Sequence, residues 1–387
     1  MRPLYRAWLY FVAWLGGMAL WLFYNKGTAL WWQPLAICAI CVSLFVVTER
    51  RGCPPGGLQL VSVLVLLGWV FLFRLDSGWA ARQFWGFVVG AGAYLLGLLL
   101  PWLHPRFGQL AAVAALTLLV LALVFGTRIS GARAWLTVFD TFTFQPVEFA
   151  RILLIIYLGG ELAQNRLNVK SAAVLGLFLL LLALQTDLGP ALLVFLVFSA
   201  LYFTISFSWL KLVLFLGLGT AAAAAAVWKF PHLRTRLLAW LTPWDFLDSK
   251  GYQVLQGIFA LNAGGLVGRG MGEGMADVIP AAHTDYILAV IGEEFGLLGT
   301  FALLLVYVGL AFWAFRLLLE VGDGRLRLIG LGFTLLLHVQ VLLVVGGILR
   351  LIPFTGMTLP FVSYGSSSLT AQLWMFGMLT RLGREQL

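Results

Sequence analysis

Apolar residues in this chain come in long, nearly charge-free runs separated by short polar breaks. Twelve runs, near 8–25, 29–47, 58–74, 82–101, 108–126, 145–160, 171–185, 187–206, 209–228, 297–316, 327–348 and 364–380, approach the length a bilayer-spanning helix needs, about 20 residues. Basic residues gather in every second break: Arg2/Arg6, Arg50/Arg51, His104/Arg106, Arg166/Lys170, Lys211, Arg316/Arg325/Arg327 and Arg381/Arg384. Positive charge marks the cytoplasmic side, so both termini are expected there. Among the segments that the same parity puts outside are 127–144, 185–189, 229–296 and 350–363. Each carries polar residues that a plain connector does not need.

The longest break, 229–296, is the most unusual. It holds glycines at 264, 265, 268, 270, 272 and 274, then Pro280, then His283-Thr284-Asp285. Such a backbone cannot lie in hydrocarbon, where its polar groups would go unsatisfied. Loops of this length are usually functional or disordered. This one keeps an apolar periodicity at Tyr252, Leu255, Ile258 and Phe259, which predicts an ordered segment at a membrane face. The active site is expected here. Its GRGMGEG run (268–274) lacks the Lys-Ser/Thr ending and the strand–helix setting of a P-loop.

Composition narrows the class. With 61% hydrophobic and 11% charged residues, the chain reads as an all-α polytopic membrane protein, not a soluble domain. The net charge of +9 is spread over short loops, which reflects membrane orientation and excludes a nucleic-acid surface. Cys38 and Cys41 sit one turn apart in an apolar run, as inert buried thiols. The N-terminal MRPLYR shows no cleavage-site pattern, so the first span is expected to be retained.

Ionisable residues inside or beside spans mark candidate chemistry. Gln145-Pro146-Val147-Glu148-Phe149-Ala150-Arg151 opens a span, with Glu148 and Arg151 three apart on one face. They make either a structural ion pair or a functional one, in which arginine can grip a phosphate. Trp135 is either an interfacial anchor or part of a site. Asp187, between two apolar runs, is either a helix-start carboxylate or a functional one. Asp285 stands where the long loop re-enters the membrane: with Thr284 as cap it would fill a first helical turn, otherwise it is a base able to meet a lipid-borne substrate. Glu293 lies eight residues on, roughly 12 Å along a helix, too far to form a glycosidase-type carboxylate pair. Glu293 and Glu294 are expected to orient neighbouring helices or loop backbone.

Taken in order, QPVEFAR, QTDLGPALL, NAGGLVGRGMGEG, HTDYILAVIGEEFGLLG and PFTGMTLPFVSYGSSS resemble the SEDS family (RodA, FtsW and SpoVE) over about residues 58–381. The resemblance implies a ten-helix SEDS core at 58–387, preceded at 1–57 by two extra N-terminal transmembrane helices. It implies a peptidoglycan glycosyltransferase of the bacterial cytoplasmic membrane that polymerises lipid II at the outer face, for cell shape or division, beside a class B penicillin-binding protein. By motif, Asp285 matches the family's essential loop aspartate, Glu148 its buried glutamate and Trp135 the aromatic of its first outer loop. Arg151 stands where the family commonly has lysine, and SYGSSS replaces the commoner SYGGSS. Asp285 would then be the general base, with Glu148, Arg151, Trp135 and Asp187 at the substrate. Arg133, Arg151, Arg269 and Arg350 are candidates for the diphosphate charge, and a divalent cation is left open. A lipid II flippase or transporter is the alternative, since intramembrane charges suit transport too.

Overall fold

A computed structural model describes residues 17, 30–129, 131–138, 142–164, 168–247, 249 and 251–384. The expected span 8–25 lies, apart from Gly17, outside the described residues. Helices occupy all eleven other apolar runs. In chain order they are α1 (Trp32–Arg50), α2 (Gly56–Leu75), α3 (Ser77–Leu99), α4 (Phe107–Phe125), α5 (Val147–Leu162), α6 (Val169–Leu184), α7 (Leu188–Ser206) and α8 (Trp209–Lys229). Two helices of the long loop come next, α9 (Pro231–Leu241) and α10 (Tyr252–Gly264), then α11 (Ile287–Glu320), α12 (Gly324–Ile348) and α13 (Ser366–Leu382). Among the described residues, seven helices (α1, α2, α4, α7, α8, α11 and α12) are both long and apolar enough to cross a membrane. Several polar breaks start the next helix by capping it. Asp76 Oδ1 accepts from the Gly78 and Trp79 amides, Asn168 Oδ1 from Ser171, and Asp323 Oδ1 from Arg325 and Leu326.

The long loop is ordered, as its periodicity predicts, through α9, α10 and two short 3₁₀ turns at Pro243–Phe246 and Ala276–Val278. The break 127–144 adds something the apolar pattern did not predict: a three-stranded antiparallel sheet of β1 (Thr127–Ile129), β2 (Ala132–Val138) and β3 (Phe142–Phe144). Thr127 pairs with Trp135, and Leu136 with Phe144.

The described residues fall into two compact units. The first comprises those within Met1–Leu99, Leu255–Leu317 and Thr358–Leu387. Its centre is α2, buried along most of its length. Helices α3 and α13 approach so closely that a Cβ on Gly377 would collide with the Tyr94 backbone, and one on Gly97 with Trp374. Small residues at such a seam let helices pack where lipid supplies no hydrophobic drive between them. Polar bonds hold α1 to this unit: Trp69 Nε1 donates to Gln33 at 3.1 Å, and the Thr48 and Tyr94 hydroxyls meet at 2.7 Å.

The second unit comprises Leu100–Val254 and Leu318–Met357. Here α5 is the buried centre. Gly159 on α5 abuts Ile329 of α12, and Gly332 of α12 abuts Ile155 of α5. No residue of α8 is buried, as expected of a helix whose solvent is lipid.

Candidate functional site

Each unit carries one polar site. In the first, α11 does not begin where its apolar run does. It starts ten residues earlier, at Ile287, and breaks at Gly296, whose φ of 66° and ψ of −166° are non-helical. The break is stitched to the glycine-rich loop. Leu297 N donates to Gly265 O at 2.9 Å and Leu298 N to Leu266 O at 3.0 Å, satisfying amides that a restarting helix leaves open. On the other side of the break, the Arg269 and Gly270 amides donate to the Glu293 and Glu294 carbonyls, both at 3.0 Å. The two glutamates add side-chain pairs: Glu294 with Arg74 at 2.7 Å, and Glu293 with Arg269 at 3.2 Å. Arg74 also donates to the carbonyls of Gly272 (3.3 Å) and Gly274 (2.9 Å). Both acids thus hold loop backbone, and Arg269 is engaged with Glu293.

Asp285 closes the turn at 281–286 that precedes α11. Thr284 does not cap the helix: its hydroxyl donates to Ala281 O at 3.3 Å, and Asp285 lies ahead of the first helical turn. Ala281, with φ of 54°, reverses the chain so that the Thr284 and Tyr286 amides both donate to its carbonyl. The turn is then pinned from outside. Tyr364 N donates to His283 O at 2.8 Å and Ser363 Oγ to Thr284 O at 2.5 Å. The segment 359–365 that supplies these donors is held in turn by Gln83, whose amide donates to Ser363 O (3.1 Å) and accepts from Gly365 N (3.1 Å). A half-buried carboxylate therefore sits on backbone fixed on both sides, the preorganisation a general base requires.

In the second unit Arg151 NH2 donates to Glu148 Oε2 within the first turn of α5, and both residues are buried, at 3% and 5% exposure. Asp187 occupies the turn between α6 and α7, outside both helices. Burial, and next the charge of Glu148, push its carboxyl up to about 6, against the pull of Arg236, Gln145 and Arg151. One of its oxygens, Oδ2, is buried without a hydrogen-bond partner among the described residues. The structure thus brings Glu148, Arg151 and Asp187 into one electrostatic cluster and adds Gln145 and Arg236. The sequence reading passed over Arg236. The available signal was the Arg234/Arg236 pair inside the apolar stretch of α9.

The other candidates hold backbone. Arg133 Nε donates to Gly126 O at 2.9 Å and NH2 to Val124 O at 3.0 Å, closing the C-terminal end of α4. Arg350 donates to the carbonyls of Trp240 (2.7 Å) and Leu241 (2.8 Å), clamping the end of α9. Trp135 is half-buried in β2, and its carbonyl accepts from the Thr127 hydroxyl at 3.2 Å. Of five non-glycine residues with positive φ among the described residues, four (Thr186, Ala281, Arg350 and Phe361) lie in these polar turns. Such strain persists only where the surroundings over-determine it, and it gathers at functional sites.

Apolar helices in this number, interrupted by rigid polar turns carrying buried charge, define a multi-pass membrane protein built around fixed ionisable groups. The chain belongs to the FtsW/RodA/SpoVE family of cell cycle proteins, whose model matches residues 58–387. α1 thus precedes the matched span, and the ten helices α2–α8 and α11–α13 fall within it or at its edge. A curated relative, the peptidoglycan glycosyltransferase RodA of Mycobacterium leprae (strain TN), is 33% identical over 87% of this chain and 79% of its own. Among solved structures, a chain from work on polymerisation and crosslinking by a peptidoglycan synthase complex matches with a TM-score of 0.73 at 31% identity, covering 86% of this chain and 98% of that one. The rod shape determining protein RodA of Thermus thermophilus matches at 0.65 and 30%, covering 86% and 97%.

Proposed function

We propose that this chain is a peptidoglycan glycosyltransferase that polymerises lipid II into glycan strands, with the 229–296 loop at the outer face of the bacterial cytoplasmic membrane and a class B penicillin-binding protein as its partner. Asp285, held in the doubly pinned turn, is the observation that carries the reading. Its carboxylate takes the proton of the acceptor sugar's 4-hydroxyl as that oxygen attacks the anomeric carbon of the donor. The bond from that carbon to the diphosphate breaks in the same displacement, so the configuration inverts. Diphosphate departs as a stable anion and needs no proton donor, only positive charge.

For the second unit's Glu148–Arg151–Asp187 cluster, with Arg236, the proposed role is to hold the lipid-linked substrate. Arg151 is paired with Glu148, and Arg236 makes a weak backbone contact, to Thr355 O at 3.5 Å, among the described residues. Among the described residues no group of three or more His, Cys, Asp or Glu side chains could hold a metal ion. No step of the proposed reaction is routed through a metal ion.

The test is purified full-length protein, with and without a class B penicillin-binding protein, given labelled lipid II. Glycan polymer supports the proposal. A protein that moves lipid II across vesicles and never lengthens it is a transporter.

A further inference from the structure

The mechanism above leaves unused a cavity of about 190 Å³ in the first unit, lined by Asp76, Trp79, Asp277, Ala281 and His283 among others. It is walled on one side by the turn that carries Asp285. By volume it holds about six waters, the size of one sugar ring and too small for a disaccharide. Its polar groups are not consumed by the fold. Asp76 spends Oδ1 on the start of α3 and keeps Oδ2, while Asp277 is exposed and has no hydrogen-bond partner among the described residues. His283 stacks on Trp79 at 4.2 Å with the rings 14° apart, and Tyr364 meets Trp79 edge-on at 4.6 Å, so the aromatic wall is rigid. The ring nitrogens of His283 make no hydrogen bond among the described residues. Burial lowers the basicity of the imidazole, which keeps it neutral, one nitrogen donating and the other accepting.

This chemistry sorts ligands. Two carboxylates repel a phosphate, and no metal-binding group of three forms among the described residues. Carboxylates beside a neutral imidazole do suit vicinal hydroxyls and an amide, each carboxylate accepting from a hydroxyl in a charge-assisted bond. We infer that the cavity between Asp76, Asp277 and the Trp79–His283 stack is a subsite for one neutral N-acetylhexosamine ring of the lipid-linked substrate, with Asp277 as its positioning residue. This rests on the glycosyltransferase reading and adds where a sugar is held.

The experiment uses the full chain in a background lacking its native cysteines, with Asp277→Cys introduced. The rate of alkylation is read with lipid-linked disaccharide well above its KM, with sugar-free polyprenyl diphosphate, and with no addition. Protection by the sugar-bearing lipid of about fivefold or more, and none by the sugar-free lipid, is expected. In parallel, Asp277→Asn should raise KM about tenfold, the worth of one charged hydrogen bond, with kcat changed less and thermal stability unchanged. Equal protection by both lipids would make the cavity a diphosphate or lipid site, and protection by neither would leave it outside the substrate path. Either result overturns the inference. Polymer formation by the unmodified protein reports separately on the glycosyltransferase reading, which survives if only the cavity assignment fails.

Discussion

Arg74 and Glu294 form an ion pair of 2.7 Å whose side chains are 10% and 0% exposed, and the same guanidinium holds the Gly272 and Gly274 carbonyls. One arginine at the end of α2 therefore ties α11 to the glycine-rich loop. Removing one partner of a buried pair leaves the other uncompensated, at a cost of about 3–5 kcal/mol. Glu294→Gln should lower the thermal midpoint and open residues 266–275 to proteolysis. Unchanged cleavage of that loop would show that the pair does not hold it.

Gly296 tests the stitch independently. With φ of 66°, a Cβ there would stand 2.6 Å from the Leu266 carbonyl carbon. Gly272 shares a positive φ, 86°, but faces open space. Gly272→Ala should cost about 1–2 kcal/mol, the left-handed penalty alone. Gly296→Ala should cost several kcal/mol more, or fail to accumulate. Equal effects in a thermal-shift comparison would mean that loop and helix are not joined there.

Glu148 and Arg151 should be coupled. If each single alanine variant strands a buried charge, the double variant will be less damaged than the sum of the two. Additive losses of stability in the cycle would dissolve the pair.

Asp187 gives a pH dependence. Its folded value, about 6, lies above the ordinary 3.8, so its contribution to stability is complete below about pH 4 and is lost as pH rises through 6. Ionised Asp187 therefore costs stability at neutral pH. Asp187→Asn should raise the thermal midpoint relative to the unmodified protein at pH 7.5, with the gain shrinking towards pH 5. A gain that is flat or reversed across that range contradicts the raised value.

The helices were legible because lipid demands long apolar runs, and every described run became one. The strands of 127–144 were not, since β1 and β3 have three residues each and leave no period to count. Nor was the early start of α11: Ile287–Ile291 is as apolar as the run from Leu297 onward, and only a positive φ at Gly296 separates the two segments. Glu148 with Arg151 could be read from helical spacing. The clamping role of Arg350, and the presence of Arg236 beside Asp187, depend on contacts between distant segments, and that of Arg133 on the chain reversal at 126–133, which no local pattern encodes.

The central claim is that Asp285 accepts the proton. Asp285→Asn preserves size, and asparagine is itself a favourable residue at a helix start. Glycan polymerisation from labelled lipid II by purified Asp285→Asn protein, checked for an unchanged thermal midpoint, is the direct measurement. The expected result is a loss of about 10²–10⁴-fold with lipid II binding retained. Near-normal polymer from the well-folded variant would contradict the account.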